Sequence, residues 1–156
     1  MKSSFMGNYY EDFNIGDTIN HALSKTIFES DNNLFCLLTM NSHPLHTNKE
    51  YASKQQHGEM VVVGTLVLSL AVGITVQDIS GKAIANLEYS KVKHLYPVYI
   101  GDTLHVTSTI IEKRETKKTD RGIIVVQSHV YNQNDNEVLY FERKVLVKRK
   151  SEYHGK

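Results

Sequence analysis

The sequence predicts an α+β fold in which one long antiparallel β-sheet wraps around a central apolar helix. Three observations carry this reading. Residues 60–77 form an apolar run without a single charge. After Ser80-Gly81 the periodicity changes and four β-rich stretches follow, two of them with alternating faces. The chain has 156 residues, enough to bury one sizeable core and too few for two comfortable domains. A helix that is apolar on all sides must be enclosed by protein, and a sheet with one apolar face needs something to cover it. Each element therefore satisfies the other.

The elements follow in order. Gly16-Asp17 is an entry turn, and a strand is expected over 18–28. Ser30 or Asp31 can cap a helix by accepting from a free backbone N–H. Leu34, Leu37 and Leu38 then fall on one face at helical spacing. That helix should stop near Asn41, because Pro44 disfavours helical geometry at His43. A short helix is expected over 48–53, a polar link over 54–59, and the apolar helix over 60–77. "KAIANLEYSKVKHL", "TLHVTSTIIEKRET", "GIIVVQSHVYNQ" and "EVLYFERKVLVKR" read as strands of a long antiparallel meander. In the second, Leu104, Val106, Ser108 and Ile110 oppose His105, Thr107, Thr109 and Ile111. "TDRG" and "QNDNE" are hairpin turns, and "YPVYIGD" is a bend between strands. The single domain is expected to span 1–156, with its core at about 10–149. An exposed edge strand would remain, and pairing with a second copy would hide it, so a homodimer is expected, further association being left open.

Composition narrows the function classes. Eighteen Lys and Arg stand against seventeen Asp and Glu, a net charge of +1. This leaves no concentrated basic face for nucleic acid. The local groups Lys113, Arg114, Lys117, Lys118 and Arg143, Lys144, Lys148, Arg149, Lys150 read as solvated strand ends. The one cysteine, Cys36, lies in an apolar run and reads as packed; it permits no internal disulfide, which fits a reducing, cytoplasmic setting. The first thirteen residues lack the apolar core of a signal peptide, and the 60–76 stretch is short for a membrane span.

The chemistry gathers in "TMNSHPLHTNKEYA". Asn41, His43, Pro44 and His46 stand together just ahead of the apolar helix. The plain alternative is an ordinary polar loop. Two histidines three residues apart are compatible with metal ligation, but no third ligand or carboxylate pattern accompanies them, and no metal is expected.

Three quoted segments give the chain a resemblance to the MaoC-like dehydratases, the (R)-specific enoyl-CoA hydratases of the hot-dog fold. "NSHPLH" is similar to the family's Asp-x-Asn-Pro-x-His motif. "VVVGTLVLSLAVG" resembles the start of its central helix. "HLYPVYIGDTLHVTSTIIEKRE" resembles its Pro-Val-x-x-Gly-Asp-Thr-Leu strand turn. "ANLEYSKVKHLYPVYIGDTL" and "YNQNDNEVLYFERKVLVKR" look most like the subgroup acting on mesaconyl-CoA and itaconyl-CoA.

The resemblance implies reversible addition of water to an α,β-unsaturated acyl-CoA, with no redox cofactor. Such a reaction needs a group that exchanges a proton near neutral pH, and imidazole suits that. It also needs fixed donors for the thioester oxygen, and a helix N-terminus supplies them aligned. His46, five residues after Asn41, takes the place of the family histidine. Gly64, eighteen residues further, takes that of the oxyanion-hole glycine, with Val63 before it; His57-Gly58 imitates that pair at the wrong spacing. Close helix packing is the bland reading of Gly64. Asn41 departs from the family acid. An amide can hold a water but cannot usefully take its proton, so His46 is expected to act as base and to return the proton. His43, or an acid from elsewhere, is the alternative source. Lys91, Lys93 and Arg114 are candidates for the coenzyme phosphates, and Asn86 or His94 for the distal carboxylate of a dicarboxylyl substrate. A straight-chain hydratase, a hot-dog thioesterase and an inactive acyl-CoA-binding domain are the rivals.

Overall fold

The computed structural model describes residues 7–150. The reading of residues 1–6 and the two extremes of the 1–156 span lie outside the described residues. The strand expected over 18–28 forms as two short pieces, β1 (Thr18–Asn20) and β2 (Lys25–Thr26). The break falls at His21, whose ring turns inward. Its Nδ1 lies 2.7 Å from Asp78 Oδ2 and its Nε2 2.8 Å from Ser108 Oγ, which continues to Ser128 Oγ at 2.8 Å. A buried polar chain thus stands where a continuous strand was expected.

Helix α1 (Glu29–Thr39) begins where the Asp31 carboxylate accepts from the Phe28 N–H at 2.9 Å, and it stops at Met40, which adopts left-handed backbone with φ 59°. Leu34, Leu37 and Leu38 share a face as their spacing predicts, yet that face is 56%, 70% and 74% exposed at the three positions. A single helical turn that the sequence reading does not contain, α2 (Pro44–Thr47), precedes the expected short helix, α3 (Lys49–Ser53). The apolar helix α4 (Gly64–Ile74) is shorter than its run. Branched side chains at Val61, Val62 and Val63 favour extended backbone, and the Val62 N–H bonds the Val98 carbonyl at 2.8 Å. A π-helical turn, Val76–Ser80, follows α4.

Four long strands complete the chain: β3 (Ala83–His94), β4 (Thr103–Glu115), β5 (Arg121–Tyr131) and β6 (Glu137–Lys148). Their limits match the four β-rich runs, but one pairing differs from a simple meander. The order is β1-β4-β5-β6-β3, with β2 also on β4, and every pair is antiparallel. Only β4, β5 and β6 form hairpins. β3 lies at the far edge beside β6, so residues 95–102 are a crossover and not a bend between neighbours. That crossover passes the start of α4 and carries Val98 to Val62.

On β4 the inward residues are Leu104, Val106, Ser108 and Ile110, as the alternation predicts. Helix α4 packs Val67, Ala71 and Ile74 against Leu104, Val106, Val130, Leu139 and Phe141. A second cluster around Phe13, Ile79, Ile124 and Val145 fills the other half of the sheet's inner face. The helix is not enclosed all round. Thr65, Ser69 and Gly73 are exposed, and Leu66, Leu70 and Val72 are only partly covered.

Arg143 corrects the reading of the basic residues near the C-terminus: it is 2% exposed. It stands on the inward face of β6, Nη2 donating to Thr75 Oγ1 at 2.7 Å, and Nε has no acceptor among the described residues. Cys36 is buried as expected, and that burial pushes its thiol up, away from nucleophilic use. Among the described residues no helix is long and apolar enough to cross a membrane.

Candidate active site

The turn from Asn41 to Thr47 is built by its own polar side chains. Asn41 Oδ1 accepts from the His43 N–H at 3.2 Å. His43 is extended, as a residue before proline should be, and its Nδ1 accepts from the Leu45 N–H at 3.2 Å. Pro44 sits in the first helical turn, where no N–H is needed. This geometry aims His46 the other way. His46 Nδ1 lies 2.6 Å from the Val61 carbonyl oxygen. A carbonyl only accepts, so Nδ1 carries the proton and the neutral ring keeps Nε2 as a free base. The two histidines therefore hold opposite tautomers, His43 with Nδ1 accepting and His46 with Nδ1 donating.

Asn32, which the sequence reading did not single out, ties this turn to helix α4. Its Nδ2 donates to the His46 carbonyl at 3.0 Å and its Oδ1 accepts from the Val63 N–H at 3.0 Å. It is 1% exposed. One amide thus fixes the His46 turn relative to the residue that caps α4. An asparagine in the first turns of a helix usually points to solvent, so nothing local in the sequence marks it. The tertiary contact alone reveals the role.

His46, Gly64 and His94 line one cleft of about 310 Å³, with His57, Val67 and Tyr96 among its other walls. Gly64 is the first residue of α4, and its N–H has no acceptor among the described residues. The partial positive charge of the helix start adds to that N–H. Among the described residues no Asp or Glu lines this cleft. Burial pushes the Tyr99 phenol up, and its hydroxyl lies 3.4 Å from His57 Nδ1. Wider depressions surround Asp12, Asp17 and Asp78, and Asn33, Thr47 and Asn48, but neither reaches Gly64.

The other residues singled out by sequence scatter. His94 enters the cleft, whereas Asn41, His43 and Val63 do not line it, although Val63 caps α4. Asn86 sits on β3 eight residues before His94, roughly 26 Å away at about 3.3 Å per residue. Lys91 Nζ is 2.9 Å from Glu142 Oε1. Lys93 pairs with Tyr140 across to β6, one residue from His94, and Arg114 lies on β4 opposite Ile123.

Known proteins share both sequence and fold with this chain. A family model described as "MaoC like domain" matches residues 12–132. The chain is 38% identical over 144 residues to a β-methylmalyl-CoA dehydratase of Chloroflexus aurantiacus, covering 92% of this chain and 41% of that one. It is 33% identical to a mesaconyl-CoA hydratase of Cereibacter sphaeroides, covering 92% and 42%. The chain therefore spans about two fifths of the length of these relatives. The crystal structure of a MaoC domain dehydratase of C. aurantiacus superposes with a TM-score of 0.90 at 36% identity, covering 100% of this chain and 44% of the other. A Mycobacterium tuberculosis protein described as a double hot-dog fold superposes at 0.86 with 18% identity, covering 96% and 47%, a likeness of fold alone. A hot-dog sheet around α4, a histidine turn tied to the helix start and a family model covering most of the chain lead to one conclusion: the chain belongs to the MaoC-like domain family.

Proposed function

We propose that this chain adds water reversibly to an α,β-unsaturated acyl-CoA, with a C5 dicarboxylyl thioester such as mesaconyl-CoA or itaconyl-CoA as substrate, and that it works as a homodimer. One observation carries the reading. His46, whose Nδ1 is held on the Val61 carbonyl so that Nε2 is left without a proton, and Gly64, whose N–H is unspent, line one cleft. The step follows. Nε2 takes a proton from water while its oxygen bonds to the β-carbon. The π pair shifts towards the thioester, whose oxygen gains negative charge opposite the Gly64 N–H and the start of α4. The proton on Nε2 then passes to the α-carbon, which regenerates the base. Every atom transferred comes from water, so the chemistry proposed uses protein groups alone. Asn41 contributes through the turn that it holds, and Lys91, Lys93 and Arg114 are the cations proposed for the coenzyme phosphates. The dicarboxylyl assignment rests on the named relatives and on a cleft with three imidazoles and, among the described residues, no carboxylate, a lining that tolerates a second negative charge.

Absorbance of the conjugated thioester tests this directly, with mesaconyl-, itaconyl- and crotonyl-CoA offered to purified protein. Turnover of the first two above the third is expected. His46→Ala should lower kcat by about 10²–10⁴-fold, the usual range for a proton-transfer group. The absence of turnover with all three thioesters refutes the proposal, and release of free thiol identifies a thioesterase instead.

A further inference from the structure

We propose that the imidazole of His94 is the second donor to the thioester oxygen, beside the Gly64 N–H; this rests on the hydratase reading of the cleft. Strand β3 ends at His94, whose backbone is held by pairing with Leu139 and by the Leu95 N–H on the Val138 carbonyl at 2.9 Å. The ring hangs over the first residue of α4. A Cβ built on Gly64 would come 2.8 Å from Cε1, 3.1 Å from Nε2 and 3.3 Å from Nδ1 of His94. The nitrogen-bearing edge of the ring therefore faces the glycine. Among the described residues neither ring nitrogen has a hydrogen-bond partner, and neither has the Gly64 N–H. Two groups with unspent donors, one on a helix start and one on a strand end, thus stand side by side in one cleft.

The chemistry suits the position. A neutral imidazole always keeps one N–H, so in either tautomer one of the two nitrogens can donate. Val62, Val67 and Leu95 line the same cleft, and apolar walls strengthen a hydrogen bond to an oxygen that is gaining charge. The glycine acquires a second purpose as well. Any side chain at position 64 would displace the imidazole as well as crowd the thioester.

His94→Phe keeps the ring shape and removes the donor, while His94→Gln keeps an N–H. Three quantities are to be measured for both variants and the wild type: kcat, KM and the red shift of bound hexa-2,4-dienoyl-CoA, which reports polarisation of the thioester carbonyl. His94→Phe is expected to lose about 10²-fold in kcat with KM within about threefold, in line with removal of one oxyanion donor, and to lose much of the red shift. The urea midpoint should not move, because His94 is exposed. His94→Gln should recover part of both signals. A Phe variant with wild-type kcat and red shift overturns the assignment, as does a loss seen in KM alone. Wild-type protein that neither turns over an enoyl-CoA nor shifts the dienoyl spectrum overturns the hydratase reading and this one with it. Turnover and red shift in the wild type, both unchanged in His94→Phe, dismiss His94 only.

Discussion

Replacing Asn32 with leucine is the most informative single change outside the cleft. Leucine has nearly the same shape, so the space stays filled and the lost hydrogen bonds dominate. Two bonds of 3.0 Å disappear together, one to the His46 carbonyl and one from the Val63 N–H. The bond to the His46 carbonyl is worth about 1 kcal/mol net, and leaving the Val63 N–H buried without its acceptor costs about 1–3 kcal/mol. The sum is about 2–4 kcal/mol. With an m-value of roughly 2 kcal/mol per molar urea, the midpoint should fall by about 1–2 M. The same change frees the His46 turn to drift relative to Gly64, and a misplacement of about 1 Å costs about 10²-fold in rate. Equilibrium urea unfolding and enoyl-CoA hydration on one preparation read both effects. Asn32→Asp keeps an acceptor for Val63 but sets a buried carboxylate oxygen against the His46 carbonyl, so it too should lower the midpoint and the rate. If Asn32→Leu keeps the wild-type midpoint and turnover, the strut between turn and helix is an incorrect account.

Other outcomes follow from the same contacts. Burial pushes the His21 imidazole below its usual range, against the opposing pull of the Asp78 carboxylate. The unfolded chain takes up this proton at a pH near about 6.5, before the folded one does. The stability from His21 is therefore complete above that pH and is lost as the pH falls towards the folded value. Urea midpoints of wild type and His21→Gln between pH 7.5 and 5 should show a shallower decline in the variant, and identical slopes would contradict it. The exposed margin of β3 makes a second point testable. Val92→Asp should move the sedimentation coefficient from dimer to monomer at micromolar protein, whereas a wild type that sediments as a monomer removes the homodimer from the proposal.

The sequence shows best what depends on local periodicity. The start and course of β4 follow from strict alternation, because only one of its faces reaches the core. The two halves of the candidate site, His46 and Gly64, were also legible, each standing in a motif with recognisable spacing. Pairing partners were not. Nothing within β3 says that it lies beside β6, since the crossover over 95–102 is decided by packing across the whole sheet. Arg143 read as solvent-facing because a charge normally is, and its burial depends on Thr75 at the far end of α4. The apolar run over 60–77 hid a change from extended to helical backbone at Gly64, since valine fits both environments. Asn32 was invisible for a related reason, since it braces neighbours distant in the chain. His94 was named as a candidate for a distal carboxylate, but nothing in the sequence says that its ring stands beside Gly64, thirty positions earlier.

Strand β3 carries three register shifts against β6, between Ala83 and Ala85, Asn86 and Glu88, and Ser90 and Lys93, and Lys91 has a φ of 51°. Its outer margin bears Ile84, Leu87 and Val92 in the open, a composition that would invite fibre growth on a straight strand. The kinks change that. An arbitrary extended segment matches such a crooked border over only two or three residues before its amides fall out of step. A rim this irregular stays sticky enough for a strand with the same offsets while remaining a poor template for anything else.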